Sequence, residues 1–306
     1  MFNNLRFIYF KNLFKIIEKF KPSKVIIHND PASIQVLLLI YYSFFKKFSI
    51  YCMSNENRVV NFNEKYTIIK ILRSILLILI NFFLKFKIKN VLCISNQIKK
   101  NYNFLGYKKK TVLLPLGFDQ DIFNKKKRKI NKTFVISYFG RISSEKGIHV
   151  LIKSLKLIDF KFKFYLDVSH INNMQYFKMI IKELEKIIRP PNIKYIKCDH
   201  NKIANFMRKS DLVVVPSLYE EQYGRVIQES VACGCLVIGS RVGAIPEIIK
   251  DKDLLFTKNN HKELSQKINR LKNSFFFKNK LKSQHKQIFK ERTLIKQLEI
   301  LNKLFK

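Results

Sequence analysis

The stretch DLVVVPSLYEEQYGRVIQESVACGCLVIGS, residues 211–240, contains two short apolar runs on either side of a longer amphipathic segment. The runs LVVV and LVI are rich in β-branched residues and bounded by Pro, Ser or Gly, which is typical of strands buried on both faces. The segment between them has helical spacing from about residue 224. This strand–helix–strand unit predicts a parallel sheet of the α/β class.

The same alternation of apolar runs and helical segments extends through most of the chain. Further buried strands are predicted at 25–28, 48–53, 91–95, 111–117, 133–140, 162–168 and 192–198. Two such series predict two Rossmann-like domains.

The predicted domain boundaries follow a polar, basic interruption in this pattern. We expect an N-terminal domain over 1–123, a basic hinge over 124–132 and a C-terminal domain over 133–283. The segment 284–306 is predicted to be one amphipathic helix that packs back on the N-terminal domain.

Positive charge is the most unusual property of the composition. The 306 residues include 59 Lys and Arg against 22 Asp and Glu, a formal net charge of +37. The excess is divided evenly, with +19 in residues 1–130 and +18 in 131–306, whereas a nucleic-acid-binding tail would concentrate it. Abundant Lys, Asn, Ile and Phe indicate compositional drift, and attraction to anionic partners is the alternative. No nucleic-acid recognition motif is present, so specific nucleic-acid binding is not expected.

The cysteines and the apolar segments indicate the cellular compartment of the protein and its relation to membranes. Five cysteines without framework spacing predict reduced thiols in a cytoplasmic protein. The most apolar segment, 74–84, has eleven residues, well short of the roughly 20 that span a bilayer. A buried helix is the first interpretation of this segment, and a helix at a membrane interface is the second.

Two carboxylates lie around the start of the helix in the quoted stretch. Glu221 comes just before the helix N-terminus, where free backbone N–H groups favour an anion such as a diphosphate. Glu229 lies on a face of the helix that can point to the same cleft. Carboxylates beside an anion site need hydroxyl groups or a developing cation as partners, and a sugar nucleotide supplies both.

A second motif, FGRISSEKG at residues 139–147, also joins a strand to a helix. Gly140 permits a tight turn, after which Arg141 and Lys146 can reach the carboxyl end of the sheet, where ligands of such folds bind. Cations at this place would neutralise a diphosphate leaving group. These cations make a metal ion or other cofactor unnecessary, and the acidic pairs Asp119/Asp121 and Asp251/Asp253 are interpreted as turn and cap residues.

Together these motifs resemble glycosyltransferase family 4, retaining enzymes of the GT-B fold that use nucleotide sugars. The Glu-x7-Glu pattern of the family matches Glu221 and Glu229, and its Gly-Arg-x4-Lys-Gly pattern matches residues 140–147. The segments LLPLGFDQDIF (113–123) and VLCISNQIKKNY (91–102) are also similar to family motifs. The resemblance extends over roughly 20–300 and is strongest over 138–249.

The resemblance implies a role for each of these positions. Arg141 and Lys146 would bind the donor diphosphate after the turn at Gly140. Glu221 would meet the transferred sugar as the catalytic residue, and Glu229 would hold the ribose hydroxyls. The backbone of Tyr223, Gly224 and Arg225 would hold the distal phosphate.

The N-terminal part of the chain departs from the family pattern. Family members begin with a glycine-rich strand–loop and further strand–helix units before the segment that starts here near residue 20. The N-terminal domain is therefore predicted to be incomplete, with the strand at 25–28 as an exposed edge. We expect a helix at roughly 3–19 or a partner chain to cover that edge.

These observations predict a retaining hexosyltransferase that moves a sugar from a nucleotide donor to a polysaccharide or glycolipid acceptor in envelope glycan biosynthesis. The basic surface and apolar helices of the N-terminal half would suit peripheral contact with the anionic inner face of the cytoplasmic membrane. The alternative is a truncated, non-catalytic nucleotide-binding remnant or one half of a split glycosyltransferase.

Overall fold

The computed structural model describes residues 14–29, 31, 33–54, 78–126, 132–189 and 191–305. The chain divides into two compact units, Met1–Leu114 (unit 1) and Pro115–Lys306 (unit 2). Each unit contains one sheet in which all paired strands are parallel, as predicted for the α/β class.

Unit 1 contains a four-stranded sheet with the strand order β1-β2-β3-β4. Its elements are α1 (14–20), β1 (Lys24–Ile27), α2 (Ile34–Ser43), β2 (Ser49–Ser54), α3 (78–84), β3 (Ile88–Cys93), α4 (Asn96–Tyr102) and β4 (Thr111–Leu113). Serine side chains define where two of the helices begin: Ser33 accepts from the Val36 N–H, and Ser95 accepts from the Ile98 N–H. The predicted strands of this half therefore form one sheet in chain order.

The first strand lies at the edge of this sheet among the described residues. β1 pairs with β2, and its Ile26 side chain is 38% exposed. Of the helix predicted at 3–19, residues 3–13 lie outside the described part of the chain. The described part, α1, contacts α2, where the Tyr42 hydroxyl donates to Glu18 at 2.7 Å. Coverage of the edge by this helix or by a partner chain stays a prediction.

Unit 2 contains a six-stranded sheet with the strand order β10-β9-β8-β5-β6-β7. The strands are β5 (Phe134–Tyr138), β6 (Phe162–Asp167), β7 (Ile193–Ile196), β8 (Leu212–Val215), β9 (Leu236–Ser240) and β10 (Leu255–Phe256). The helices are α5 (Ile148–Leu155), α6 (Met174–Glu185), α7 (His200–Met207), α8 (Arg225–Ala232), α9 (Ile245–Ile248), α10 (His261–Arg270), α11 (Ser274–Glu291) and α12 (Leu294–Phe305). If these six strands are renumbered 1 to 6 in chain order, beginning with β5, the strand order is 3-2-1-4-5-6, which is that of a complete Rossmann sheet.

The units divide at Leu114–Pro115, earlier than the boundary predicted at 123. Phe118 and Phe123 explain the difference, because both are buried in the hydrophobic core of unit 2. The Phe118 ring also packs edge-on against Phe289, with centroids 5.4 Å apart. Part of the predicted basic hinge, 127–131, lies outside the described residues.

The C-terminal segment differs from the single helix predicted over 284–306. Instead, α11 ends at Glu291 and α12 begins at Leu294, and both helices lie in unit 2. The break falls at Arg292, which has φ −133° and ψ 25°. Packing of this segment on the N-terminal domain stays a prediction.

None of the helices in the described part of the chain combines the length and the apolar character needed to cross a membrane.

Candidate active site

The strand order of unit 2 reverses direction between β5 and β8. These two strands are neighbours in the sheet, with Ile136 opposite Leu212 and Ser137 opposite Val213. Open α/β sheets bind ligands outside the carboxyl ends of the strands at such a switch point. A cavity of 310 Å³ opens there, lined by Tyr138 to Gly140, Lys146, Val215 to Ser217, Glu221 and Gly224 to Val226.

Lys146 and Glu221 meet in this cavity, although 75 residues separate them in the sequence. The Lys146 ammonium donates to Glu221 Oε1 at 2.6 Å and to the Tyr219 hydroxyl at 2.8 Å. Ser217 donates to Glu221 Oε1 at 2.7 Å, and Tyr219 donates to Oε2 at 2.8 Å. Glu221 is 6% exposed, so these donors take the place of water around its carboxylate.

Tyr219 keeps its proton in this network. Burial and the nearby Glu221 carboxylate raise the pKa of the Tyr219 hydroxyl far above its ordinary value. The hydroxyl can therefore donate to the carboxylate while it accepts from Lys146. Tyr219 therefore forms hydrogen bonds with both Lys146 and Glu221 and holds the two side chains in place.

Gly147 allows the loop after β5 to approach the loop after β8. Its φ of +69° favours glycine, and a Cβ atom built on it would lie 1.9 Å from the Pro216 carbonyl oxygen. This close approach brings Lys146, the preceding residue, to the cavity. Only a residue without a side chain fits at this point.

We expect Gly147→Ala to destabilise unit 2 by about 2–4 kcal/mol, since it combines positive φ with a backbone clash. Gly234→Ala is the matched control. Gly234 has φ +89°, and its added Cβ would meet only the flexible Lys125 side chain, at 3.2 Å. Urea unfolding of both variants measures the difference. Equal losses of stability would contradict the role assigned to the close approach.

Gly140 lines the cavity, whereas Arg141, the next residue, is not among the residues that line it. Gly140 has φ +138° and lines the cavity after β5. Arg141 pairs with Glu145 at 2.8 Å, and the two side chains are 45% and 48% exposed. The guanidinium must exchange this surface pair for a ligand before it can act on a diphosphate.

The start of helix α8 lines the same cavity. Its N-cap is Gly224, with φ 84°, and no side chain caps this end of the helix. Tyr223 is buried, and its hydroxyl lies 2.5 Å from the Leu116 carbonyl oxygen and 2.9 Å from Gln228 Oε1. The Tyr223 side chain thus anchors the loop that leads into the uncapped start of α8.

Glu229 lines a second cavity of 260 Å³ beside the first. The two cavities share Phe139, Gly140, Arg225 and Val226. Arg225 Nη2 lies 3.4 Å from Glu229 Oε1, and the carboxylate is nearly buried. The structure therefore places Glu221 and Glu229 in adjoining cavities rather than in a single one.

The turn after β6 is held by side-chain hydrogen bonds. Asp167 Oδ1 accepts from the Ser169 N–H at 2.9 Å, and Asp167 Oδ2 accepts from the Gly140 N–H at 3.4 Å. The Ser169 hydroxyl in turn donates to the Cys198 carbonyl oxygen at 3.1 Å. These side-chain bonds hold the loops after β5, β6 and β7 together beside the second cavity.

The two acidic pairs have the turn roles expected from the sequence. Asp119 Oδ1 accepts from the Asp121 N–H at 2.9 Å. Asp251 caps a short 3-10 turn by accepting from the Asp253 N–H at 3.0 Å. Lys280 binds both Asp251 and Asp253 through its ammonium group.

Sequence reasoning assigned no role to Ser217, Tyr219 or Asp167. The first two were visible as hydroxyl residues four and two positions before Glu221.

A larger hollow of 490 Å³ lies along α6, lined by Phe177, Ile181, three lysines and Glu185. It lies along one helix and brings no distant functional groups together, so the switch-point cavities are the candidate site.

Comparison with known proteins shows which family the chain belongs to. The family described as Glycosyl transferases group 1 matches residues 119–288, more than half of the chain. An uncharacterized glycosyltransferase of Methanocaldococcus jannaschii is 30% identical over 202 residues, which cover 63% of this chain and 53% of that protein. The capsular polysaccharide biosynthesis glycosyltransferase CapM of Staphylococcus aureus is 28% identical over 209 residues, with 60% and 52% covered. The chain thus spans about half the length of these curated relatives.

Solved structures agree on the fold. Anabaena HepE in complex with UDP aligns with a TM-score of 0.78 at 19% identity, covering 95% of this chain and 81% of that one. Its complex with UDP-glucose aligns with a TM-score of 0.72 at 18% identity and the same coverage. This similarity shows the GT-B fold with its two Rossmann-like domains. With the family match over 119–288, it establishes that the chain belongs to the Glycosyl transferases group 1 family.

Proposed function

We propose that the protein is a retaining glycosyltransferase of family 4 and of hexosyltransferase type, which transfers a sugar from a nucleotide-sugar donor to a glycan or glycolipid acceptor. One observation carries this proposal. A lysine and a nearly buried glutamate meet at the switch point of a complete Rossmann sheet, in a cavity that also receives the start of α8. The proposed cationic and anionic groups are thus held side by side where ligands of this fold bind.

The charges in the cavity suit the two ends of the breaking glycosidic bond. Departure of the nucleoside diphosphate leaves negative charge on oxygen and positive charge on the sugar ring. Lys146, Arg141 and the N–H groups at the start of α8 would stabilise the diphosphate. Glu221 would stabilise the oxocarbenium-like sugar, and Glu229 would accept hydrogen bonds from the ribose hydroxyls.

The ion pair between Lys146 and Glu221 neutralises both groups in the structure. A donor diphosphate would compete with Glu221 for the ammonium group. As the pair loosens, the carboxylate would turn toward the sugar while Ser217 and Tyr219 continue to hold it. Donor binding would thereby activate the catalytic group rather than merely fill the cavity.

The proposed acceptor and location draw on other observations. The Staphylococcus aureus relative is named for capsular polysaccharide biosynthesis, which favours an acceptor in envelope glycan assembly. Five free cysteines, four of them buried, favour the reducing cytoplasm. The reaction would take place at the inner face of the cytoplasmic membrane.

A donor screen tests the proposal. We expect one class among UDP-, GDP- and ADP-sugars to raise the thermal unfolding temperature of the full chain and to release its nucleoside diphosphate. The anomeric configuration of the product, read by NMR, tests retention. If no nucleotide sugar binds, the proposal is wrong. Binding without hydrolysis or transfer would favour the non-catalytic alternative.

A further inference from the structure

Unit 1 exposes a dense group of aromatic side chains. Six residues at the ends of α2 and α3 form this aromatic patch, and each is more than half exposed: Tyr41, Phe44, Phe45, Phe82, Phe83 and Phe86. Phe83 and Phe86 are 69% and 70% exposed. Single exposed aromatics are ordinary, but six that lie on two neighbouring helix ends mark an interaction surface.

One half of the patch lies on the outward face of α3 and at its end. Asn81 and Leu84 lie on the inward face, where they are 2% and 8% exposed. The Tyr107 hydroxyl donates to the Asn81 carbonyl oxygen at 3.2 Å and fixes this orientation. The outward face of a surface helix usually carries polar residues, whereas here it carries Phe82 and Phe83.

Lysine side chains join the two halves of the patch. The Lys87 ammonium lies 3.8 Å from the centroid of the Phe44 ring, which links the end of α3 to the end of α2. The Lys85 ammonium lies 3.9 Å from the Phe82 ring and 5.3 Å from the Phe86 ring. Aromatic rings and ammonium groups therefore share one surface.

Among the described residues of unit 1, acidic groups are scarce. Glu18 is the sole acidic residue in the part of unit 1 that the structure describes, and its carboxylate accepts the Tyr42 hydroxyl. Lys46 and Lys47 extend the positive charge beyond Phe45. Such a surface complements an anionic partner with an apolar layer beneath its charges.

We propose that this patch docks unit 1 on an anionic lipid bilayer. The rings would lie at the boundary between headgroups and acyl chains, while Lys85 and Lys87 would pair with lipid phosphates. The most apolar segment of the sequence here, 74–84, has eleven residues against the roughly 20 that span a bilayer, so the proposed contact is interfacial.

The ring geometry favours lipid over single-stranded nucleic acid. Phe82 lies edge-on to both Phe83 and Phe86, at interplanar angles of 88° and 86°. Bases stack on flat, open ring faces, and this arrangement offers no row of parallel faces. Acyl chains need only apolar area, which these rings provide in any orientation.

Vesicle co-sedimentation tests the proposal. We expect the full chain to bind vesicles made of equal parts phosphatidylglycerol and phosphatidylcholine, and to bind phosphatidylcholine alone far less. The double variant Phe83→Ser/Phe86→Ser is expected to lower the apparent affinity by about tenfold or more. Phe275→Ser is the matched control, because Phe275 is 75% exposed and lies in unit 2. This control should bind as the unaltered chain does.

The lysines are tested separately from the rings. Lys85→Glu/Lys87→Glu should abolish the preference for phosphatidylglycerol, whereas the control Lys258→Glu/Lys278→Glu, on exposed lysines of unit 2, should reduce it only slightly. Circular dichroism and thermal unfolding confirm that each variant is folded.

Two results would overturn the proposal. Unchanged vesicle binding by Phe83→Ser/Phe86→Ser would mean that diffuse charge alone holds the protein. Loss of a dimer or of oligo-dT binding in that variant, without loss of vesicle binding, would assign the patch to another partner. Nucleotide-sugar hydrolysis without vesicles should be equal in all these variants, so the docking and the sugar-transfer proposals fail independently.

Discussion

Lys146→Met is expected to lower kcat/KM for the nucleotide sugar by about 10³-fold and to weaken nucleoside diphosphate binding. The ammonium lies inside the switch-point cavity with its side chain 22% exposed, so water screens it less than a surface charge. Loss of a preorganised charge at a leaving group has effects of this order. Calorimetry with the nucleoside diphosphate and initial rates measure the two losses.

The same substitution leaves Glu221 without its cation, so the fold must be checked separately. We expect Lys146→Met to cost about 2–4 kcal/mol of stability, because a nearly buried carboxylate loses its partner. The double variant Lys146→Met/Glu221→Gln should regain most of that stability and none of the activity. Lys153→Met removes an exposed lysine from α5 and is the matched control. Activity within threefold of the unaltered protein in Lys146→Met would contradict the assignment.

Much of the fold could be predicted because apolar runs of β-branched residues leave few alternatives to buried parallel strands. Every strand predicted between 133 and 240 is present, within a few residues at each end. The break between α11 and α12 could not be predicted, since the helical pattern continues through it. Arg292 is 7% exposed there, and its guanidinium donates to the Glu247 carbonyl oxygen at 3.0 Å. Tertiary contacts of this kind override local periodicity.

The meeting of Lys146 and Glu221 could also be predicted, because each follows a strand and the carboxyl ends of parallel strands share one edge. The roles of Ser217 and Tyr219 could not, since they depend on rotamers that place two hydroxyl groups on one carboxylate. The Arg141–Glu145 ion pair could not be predicted either, because the sequence pattern does not show with which carboxylate an exposed guanidinium pairs. Sequence position indicates which loops converge, and packing decides what their side chains do.

Glu221→Gln is expected to lower kcat by about 10³-fold while nucleoside diphosphate binding is kept or becomes tighter. The amide has nearly the volume of the carboxylate and can still accept from Lys146 and Ser217. Its missing charge has two opposite effects. The sugar cation loses its stabilising anion, whereas Lys146 no longer has a carboxylate 2.6 Å away that competes with the diphosphate.

A lower kcat together with kept or tighter nucleoside diphosphate binding would separate the role of Glu221 in catalysis from any role in binding. Lys146→Met should weaken binding and activity together, whereas Glu221→Gln should reduce turnover alone, which a purely structural role for Glu221 would not produce. Glu220→Gln removes the same charge one position earlier and is the matched control, since Glu220 has no proposed role. Single-turnover rates under saturating donor, with binding measured by calorimetry, separate kcat from affinity. Retention of kcat in Glu221→Gln within threefold would mean that the carboxylate only holds Lys146 in place, and another group would then have to stabilise the sugar cation.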